Sequence, residues 1–384
     1  MDLYFDMPVA APPSPQETAT AWHGEVLDCL VISQADAPHL TQIHTGLSML
    51  ARSGRVRVRY AFGDHVWGGQ LLSRRDPPLC GLYVLLNQRV LVHYDLRDGA
   101  ELDERALAVA DLYFKRSYSL ASTPLAHQHK VLPWGLNYEV HPDVPSAHER
   151  QRLLAHKAWS MQFLRSSAQL VSQWSGYPLS YVPELAKMCA PPVPQAPARA
   201  LFMVRAWDPE QDRDLSPAVR ADRHAVNEMR AECVRLLKKT FGERFTGGFA
   251  HTDYAIKHYK DVLLSHPEWA KKGRYLDLIK THPICIATAG LHASVGWKFG
   301  EYVAFSKAIV SEQLQFAPPE GFAQGQNYLA FSTPEGCVNA TESLMSDAAL
   351  RTSLMTHNHA YYLQHLKPDR QMWRSLRIAS ARAG

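Results

Sequence analysis

Two periods of apolar and polar residues run through this chain, and both are legible in residues 275–312, YLDLIKTHPICIATAGLHASVGWKFGEYVAFSKAIVSE. An unbroken apolar run at 284–287 stops before Gly290 and an amphipathic segment follows. The pattern predicts a strand, a glycine turn, a helix and a second strand, one βαβ unit. With the helix starting near Ser294, Val295, Phe299, Tyr302 and Val303 fall at i, i+4, i+7 and i+8 and form a stripe suited to packing on a sheet. Ser294, Lys298 and Glu301 then share a polar face directed at a cleft.

The same alternation recurs elsewhere. VLDCLVIS reads as a buried strand, LTQIHTGLSMLARSG as a helix ended by Gly54, and VRVRYAF as a second strand. LCGLYVLLNQRVLVHY predicts a hairpin, and LDERALAVADLYFKRSYS a short helix followed by a strand at 112–114. After KVLPWGLNYEV the pattern turns helix-rich over 147–174. The prolines of MCAPPVPQAPARA cannot continue a helix or a central strand, which places a linker at 190–198. ALFMVRAW opens a second α/β unit, followed by a helix over 218–241, the strand RFTGGFAH, the helix GRYLDLIKTH, the βαβ unit, the short strand NYLAF, and a helix capped by Thr333 with Glu335 in its first turn. At the end, Met372, Trp373, Leu376 and Ile378 lie at helical spacing. Pro12, Pro13 and Pro15 mark residues 1–24 as an extended arm.

Composition narrows the function. A chain of 384 residues exceeds one ordinary core, so two domains are expected. The net charge of +4 is small and its basic residues are dispersed, which argues against a nucleic-acid footprint and favours small anionic ligands. Six cysteines without a CxxC pair read as reduced thiols of a cytoplasmic protein, one that is free or peripheral to the inner membrane face. No export signal is visible, and Asn87, Gln88 and Arg89 break the longest apolar region, so no transmembrane segment is expected. Nineteen histidines give no compact metal spacing, and no metal site is expected.

Candidate chemistry collects where strands end. A helix start with Gly290 and Gly296 beside it leaves amides free for an anion, and the helix dipole adds to the attraction. Glu301, about 10 Å further along by the helical rise, is placed for ribose hydroxyls. Asp36, His39 and His44 follow the first strand, Asp95 and Asp98 follow VLVHY, and Lys115 with Arg116 follow the strand at 112–114. Arg205 ends the strand ALFMV. In open α/β sheets such positions line the ligand crevice.

These residues carry a family resemblance. LFMVRAWDPE, GWKFGEYVAFSKAIVSE and NYLAFSTPEGCVNATESLMSDAALRTSLMTHNHAYY resemble the donor-binding domain of the GT-B fold glycosyltransferases of the family-1 type, over residues 198–367. YFKRSYS followed by LPWGLNYEV resembles a bacterial subgroup. The resemblance implies two Rossmann-like α/β domains facing across a cleft: an acceptor domain over 25–189, a donor domain over 199–363, and a crossover helix over 364–384 that packs back on the first domain. It implies a nucleoside-diphosphate sugar as co-substrate with no other cofactor, a carbohydrate, lipid-linked or protein acceptor, and a reaction that needs no metal.

Arg205 matches the diphosphate-binding arginine and Glu301 the later glutamate of a paired motif; Ala293 stands where the earlier glutamate would be. The lysine expected shortly after Arg205 is also absent, which leaves Lys298 or Lys257 as substitutes and His292 and Ser294 as contacts for phosphate or sugar. In an inverting reaction His44, His39, Asp36 or Asp95 would be the general base. A nucleotide-sugar epimerase of the same fold and a non-catalytic carbohydrate-binding module are the alternatives.

Overall fold

A computed structural model describes residues 24–33, 38–61, 64–72, 80–144, 146, 161–175, 181–211, 215–316, 318–319 and 321–382. Residues 1–23 of the expected arm and Asp36 lie outside the described residues.

The first half begins with β1 (Leu27–Ser33), α1 (Thr41–Arg52) and β2 (Val56–Tyr60), continues through the small hairpin β3 (His65–Trp67) and β4 (Gln70–Leu72), and then runs β5 (Gly81–Leu86), β6 (Val90–Asp95), α2 (Glu104–Val109), β7 (Leu112–Lys115) and β8 (Val131–Pro133). Its six-stranded sheet has the order β2-β1-β5-β6-β7-β8. It is mixed rather than all parallel, because β5 runs antiparallel to both β1 and β6. The reason is local: Asn87 and Gln88 adopt φ of 50° and 54°, and Arg89 N–H closes the turn on the Leu86 carbonyl at 2.9 Å. Such a turn matches the twist of a two-stranded hairpin. β5 and β6 are buried at every position, as central strands covered on both faces must be.

After β8, residues 134–140 run as a buried irregular strap. Leu136, Tyr138 and Val140 belong to the core of the second half. The helix α3 (Met161–Ser175) follows, and then the proline-rich stretch.

The second half contains β9 (Ala200–Val204), α4 (Pro217–Phe241), β10 (Phe245–Phe249), α5 (Asp253–His258), α6 (Lys272–Thr281), β11 (Ile284–Ala287), α7 (Trp297–Ala304), β12 (Ala308–Glu312), β13 (Tyr328–Phe331), α8 (Pro334–Ser346) and α9 (Ala348–Tyr361). Its five strands are all parallel, in the order β10-β9-β11-β12-β13. Helices cover both faces, so ALFMV and ICIA are apolar throughout instead of alternating. Thr333 caps α8 as its sequence suggests, its Oγ1 accepting the Gly336 N–H at 3.1 Å.

A π-helical turn (Tyr362–Leu366) leads into α10 (Pro368–Ala381), which returns to the first half. Met372, Leu376 and Ala379 are fully buried with Leu47, Leu50 and Val92, and the Tyr94 hydroxyl meets Ser375 Oγ at 2.9 Å. Gly46 is required where α1 meets the start of α10: a Cβ there would lie 2.3 Å from the Pro368 carbonyl oxygen. The result is two Rossmann-like α/β domains facing across a cleft.

Candidate functional site: a cationic cleft between the two sheets

In the second sheet the strand order reverses at β9, whose neighbours β10 and β11 are reached on opposite sides. Crevices at the carboxyl end of such a reversal are where open α/β sheets bind ligands. A cleft of about 760 Å³ opens there. Its floor and one wall come from the second half; His39, Asp98 and Arg116 of the first half line the facing wall.

The loop after β11 shapes one side. Gly290 N–H donates to the Ser294 carbonyl at 2.8 Å and closes a short turn, within which His292 and Ala293 hold φ of 59° and 55°. This turn delays the helix: α7 starts at Trp297, not at Ser294. Phe299, Tyr302 and Val303 are buried as the stripe predicts, while Val295 precedes the helix and offers its carbonyl to Arg116 Nη2 across the cleft. Lys298 and Glu301, three residues apart, share the cleft-facing side. Gly300 lets the 134–140 strap lie against this helix, since a Cβ there would sit 2.9 Å from the Asn137 carbonyl oxygen.

Glu301 is buried and pairs through Oε1 with Lys272 Nζ from the start of α6; its Oε2 has no protein partner. Lys298 Nζ donates to the Met203 carbonyl and lies 5.1 Å from the centre of the Tyr275 ring. Burial, opposed by Glu301, pulls the Lys298 pKa down to about 8. Arg205 follows β9, exposed, with its guanidinium 5.9 Å from the Trp207 ring centre. Arg230 of α4 closes the floor, donating to Thr288 Oγ1 (2.9 Å) and to the carbonyls of Arg205 (2.8 Å) and Ala289 (3.0 Å). Arg205, Arg230, Lys272, Lys298 and Arg116 thus surround the cleft, against the carboxylates of Glu301 and Asp98.

On the first-half wall, His39 packs edge-on against Trp297 with ring centres 4.6 Å apart. Cys80 Sγ lies 3.4 Å from its Nδ1, and its carbonyl accepts the Asn137 side-chain amide at 2.9 Å. Burial, and then the Arg116 charge, lower the His39 pKa against weaker pulls from Asp98 and Glu139. Arg116 is bound to Asp98 at 2.7 Å.

The remaining sequence candidates stand elsewhere. His44 is buried on α1, its Nδ1 3.2 Å from the Tyr60 hydroxyl, and it does not line the cleft. Asp95 and Lys115 do not emerge from the strand ends into the cleft: they pair with each other at 3.1 Å inside the first half, where Arg97 and the Tyr113 hydroxyl also bind Asp95. Burial would raise the Asp95 carboxyl, but the hydrogen bond from Arg97 and the charges of Lys115 and Arg97 outweigh it and hold the group well below the usual carboxylate range. A charge pair so fully enclosed maintains the end of the sheet. His292 is exposed outside the cleft lining, as is Lys257; Gly290, Ser294, Lys298, Glu301, Arg205, His39 and Arg116 meet around the cleft. Among the described residues no cluster of three or more His, Cys, Asp or Glu is placed to hold a metal ion, and no helix is long and apolar enough to cross a membrane.

Sequence spacing passed over Arg230, Lys272, Trp207 and Trp297. For Arg230 a signal exists: Arg223, Asn227 and Arg230 fall at i, i+4 and i+7, a polar stripe on the side of α4 that the sheet must cover.

No family model matches this sequence, and no curated protein matches it. Among solved structures, the chain is similar to the C-terminal domain of a glycosyl transferase group 1 family protein (LpcC) from Francisella tularensis, at 12% identity and a TM-score of 0.30, over 45% of this chain and 89% of that one. It is similar to Anabaena HepE in complex with UDP at 10% identity and a TM-score of 0.34, over 72% of this chain and 80% of that one. Similarity to S. aureus MnaA with UDP stands at 11% identity and a TM-score of 0.33, over 70% of this chain and 62% of that one, so the chain spans less than two thirds of MnaA.

Proposed function

We propose that the protein is a glycosyltransferase that moves a sugar from a nucleoside-diphosphate sugar to an acceptor bound by the first half. The observation that carries this reading is the placement of Arg205, Arg230 and Lys298 around the crevice where the strand order of the second sheet reverses. Charge accumulates on the leaving diphosphate as the glycosidic bond breaks, and preorganised cations in a sheltered cleft stabilise it. The unpartnered Oε2 of Glu301, one helical turn into α7, supports its role as the ribose acceptor.

His39 is the general-base candidate that faces this site. Burial and the Arg116 charge lower its pKa, favouring the neutral ring, and in the tautomer whose Nδ1–H donates to Cys80 Sγ, Nε2 is the nitrogen that would take the proton of an acceptor hydroxyl. Lys115 and Asp95, paired inside the first half, do not reach this site.

The test is calorimetric titration with UDP, GDP, ADP and dTDP, followed by chromatography of the corresponding sugar nucleotides incubated with the protein. One nucleoside diphosphate is expected to bind, and its sugar nucleotide to release it faster when acceptor is added. Interconversion of the donor sugar without acceptor would identify an epimerase; absence of nucleotide binding would overturn the reading.

A further inference from the structure

α4 turns three polar side chains toward the loop that leaves β9. Arg223 donates to the Asp208 carbonyl at 2.6 Å, and Asn227 accepts the Trp207 N–H (2.8 Å) while donating to its carbonyl (2.7 Å). Arg230, one turn further, reaches Arg205, Thr288 and Ala289. The stripe ties the end of β9 to the end of β11 at the floor of the cleft.

The backbone N–H and carbonyl of Trp207 account for Asn227, but backbone carbonyls do not account for the charge of Arg230. A neutral donor would serve the same carbonyls at a much smaller desolvation cost, since a buried charge is tolerable only when paired. No carboxylate among the described residues is ion-paired with Arg230. Glu312 acts on it through space only, its Oε2 being engaged by the Ala289 N–H at 2.7 Å. Burial pulls the guanidinium pKa down to about 10, so the group is still a cation at neutral pH. Of its five N–H groups, Nε and one on each terminal nitrogen have protein acceptors. The residue also lines the cavity. A buried cation on a cavity wall, with donors to spare and no ion-paired carboxylate among the described residues, is matched by an anionic ligand.

We propose that Arg230 is the fixed phosphate ligand of the cleft, supplying from the middle of a helix a cation held in place by the strand ends it ties together. The inference rests on the reading of the cleft as a nucleoside-diphosphate site. Arg205, exposed and beside Trp207, is then the outer and adjustable partner, while Arg230 is held in place before the ligand arrives. Preorganisation of this kind lowers the ordering cost of binding.

The experiment compares wild type, Arg230→Gln and Arg230→Lys in titrations with UDP, GDP, ADP and dTDP and with the matching nucleosides, alongside melting curves. If wild type binds none of the diphosphates more tightly than its nucleoside, the donor-site reading fails and this inference falls with it. If wild type does discriminate, Arg230→Gln is expected to weaken the diphosphate about 10- to 100-fold while leaving the nucleoside within about 2-fold, the span of a lost charge-assisted contact. Arg230→Lys keeps the charge without the planar fork and should fall between the two; it also carries the test if the glutamine variant does not fold. Unchanged diphosphate affinity, or equal loss for diphosphate and nucleoside together with a lowered Tm, would reduce Arg230 to a tie between strand ends.

Discussion

Lys298 shows what the cleft asks of a single side chain. Its ammonium rests on the Met203 carbonyl, and burial brings its pKa to about 8, against about 10.4 for a free lysine. An anion binds the protonated form. Affinity for the nucleoside diphosphate is therefore expected to be level below about pH 8 and to fall by up to about tenfold per pH unit above it. Without ligand the sign reverses: the folded pKa lies below the unfolded one, so keeping Lys298 charged is a penalty at low pH, relieved as pH rises from about 8 to about 10.4. Titrations of wild type and Lys298→Met across this range check both slopes, and a slope that survives in the variant assigns it to another group. Lys298 and Glu301 were legible in the sequence because the apolar stripe beside them fixes which way they face. Arg230 was harder to read: its stripe with Arg223 and Asn227 is present, but a buried arginine and a solvated one look alike in a helix rich in charge. Lys272 was not legible, because its partner Glu301 stands 29 residues away.

At the level of elements, continuous apolar runs such as ICIA and ALFMV located the central strands, and Asn87 with Gln88 located the hairpin. The start of α7 was misplaced by three residues because nothing in HAS announces that His292 and Ala293 adopt left-handed backbone angles. The strand ends of the first half misled for a related reason: Asp95 is held by both Lys115 and Arg97 at the ends of interior strands, a pairing that charge at a strand end does not distinguish from a binding site. α10 was readable as a helix from Met372, Leu376 and Ile378, and its partner is now visible. Leu376 is fully enclosed against the first-half core. Leu376→Ala is expected to cost about 2–5 kcal/mol, seen in urea as a lower midpoint without a large change in slope. A loss below about 1 kcal/mol would mean that α10 is dispensable to the first half.

Over the whole molecule, the chain passes from one half to the other at more than one place. Residues 134–140 carry apolar side chains from the end of the first sheet into the second core. The proline stretch is pinned at its start by the Ala190 carbonyl, which accepts from Ser306 Oγ at 2.7 Å. The π-helical turn brings α10 back, and there Gln371 Nε2 donates to the carbonyls of Trp134 and Leu136, both at 3.1 Å. A short Gly-Ser insertion after Pro194 is therefore expected to leave nucleotide affinity within about 2-fold, because the other passages still set the spacing of the walls. Collapse of affinity in that variant would give the role to the proline stretch alone.

The return of α10 has a mechanical consequence. A body tethered at one point can swing in any direction, whereas a body tethered at two can turn only about the line that joins them. With the strap at 134–140 and the turn at 362–366 as the two connections, an opening of the cleft is expected to follow a rotation about the line between them, as with a door hung on a pair of hinges. His39 and Trp297, in contact on facing leaves of that door, would part along that arc.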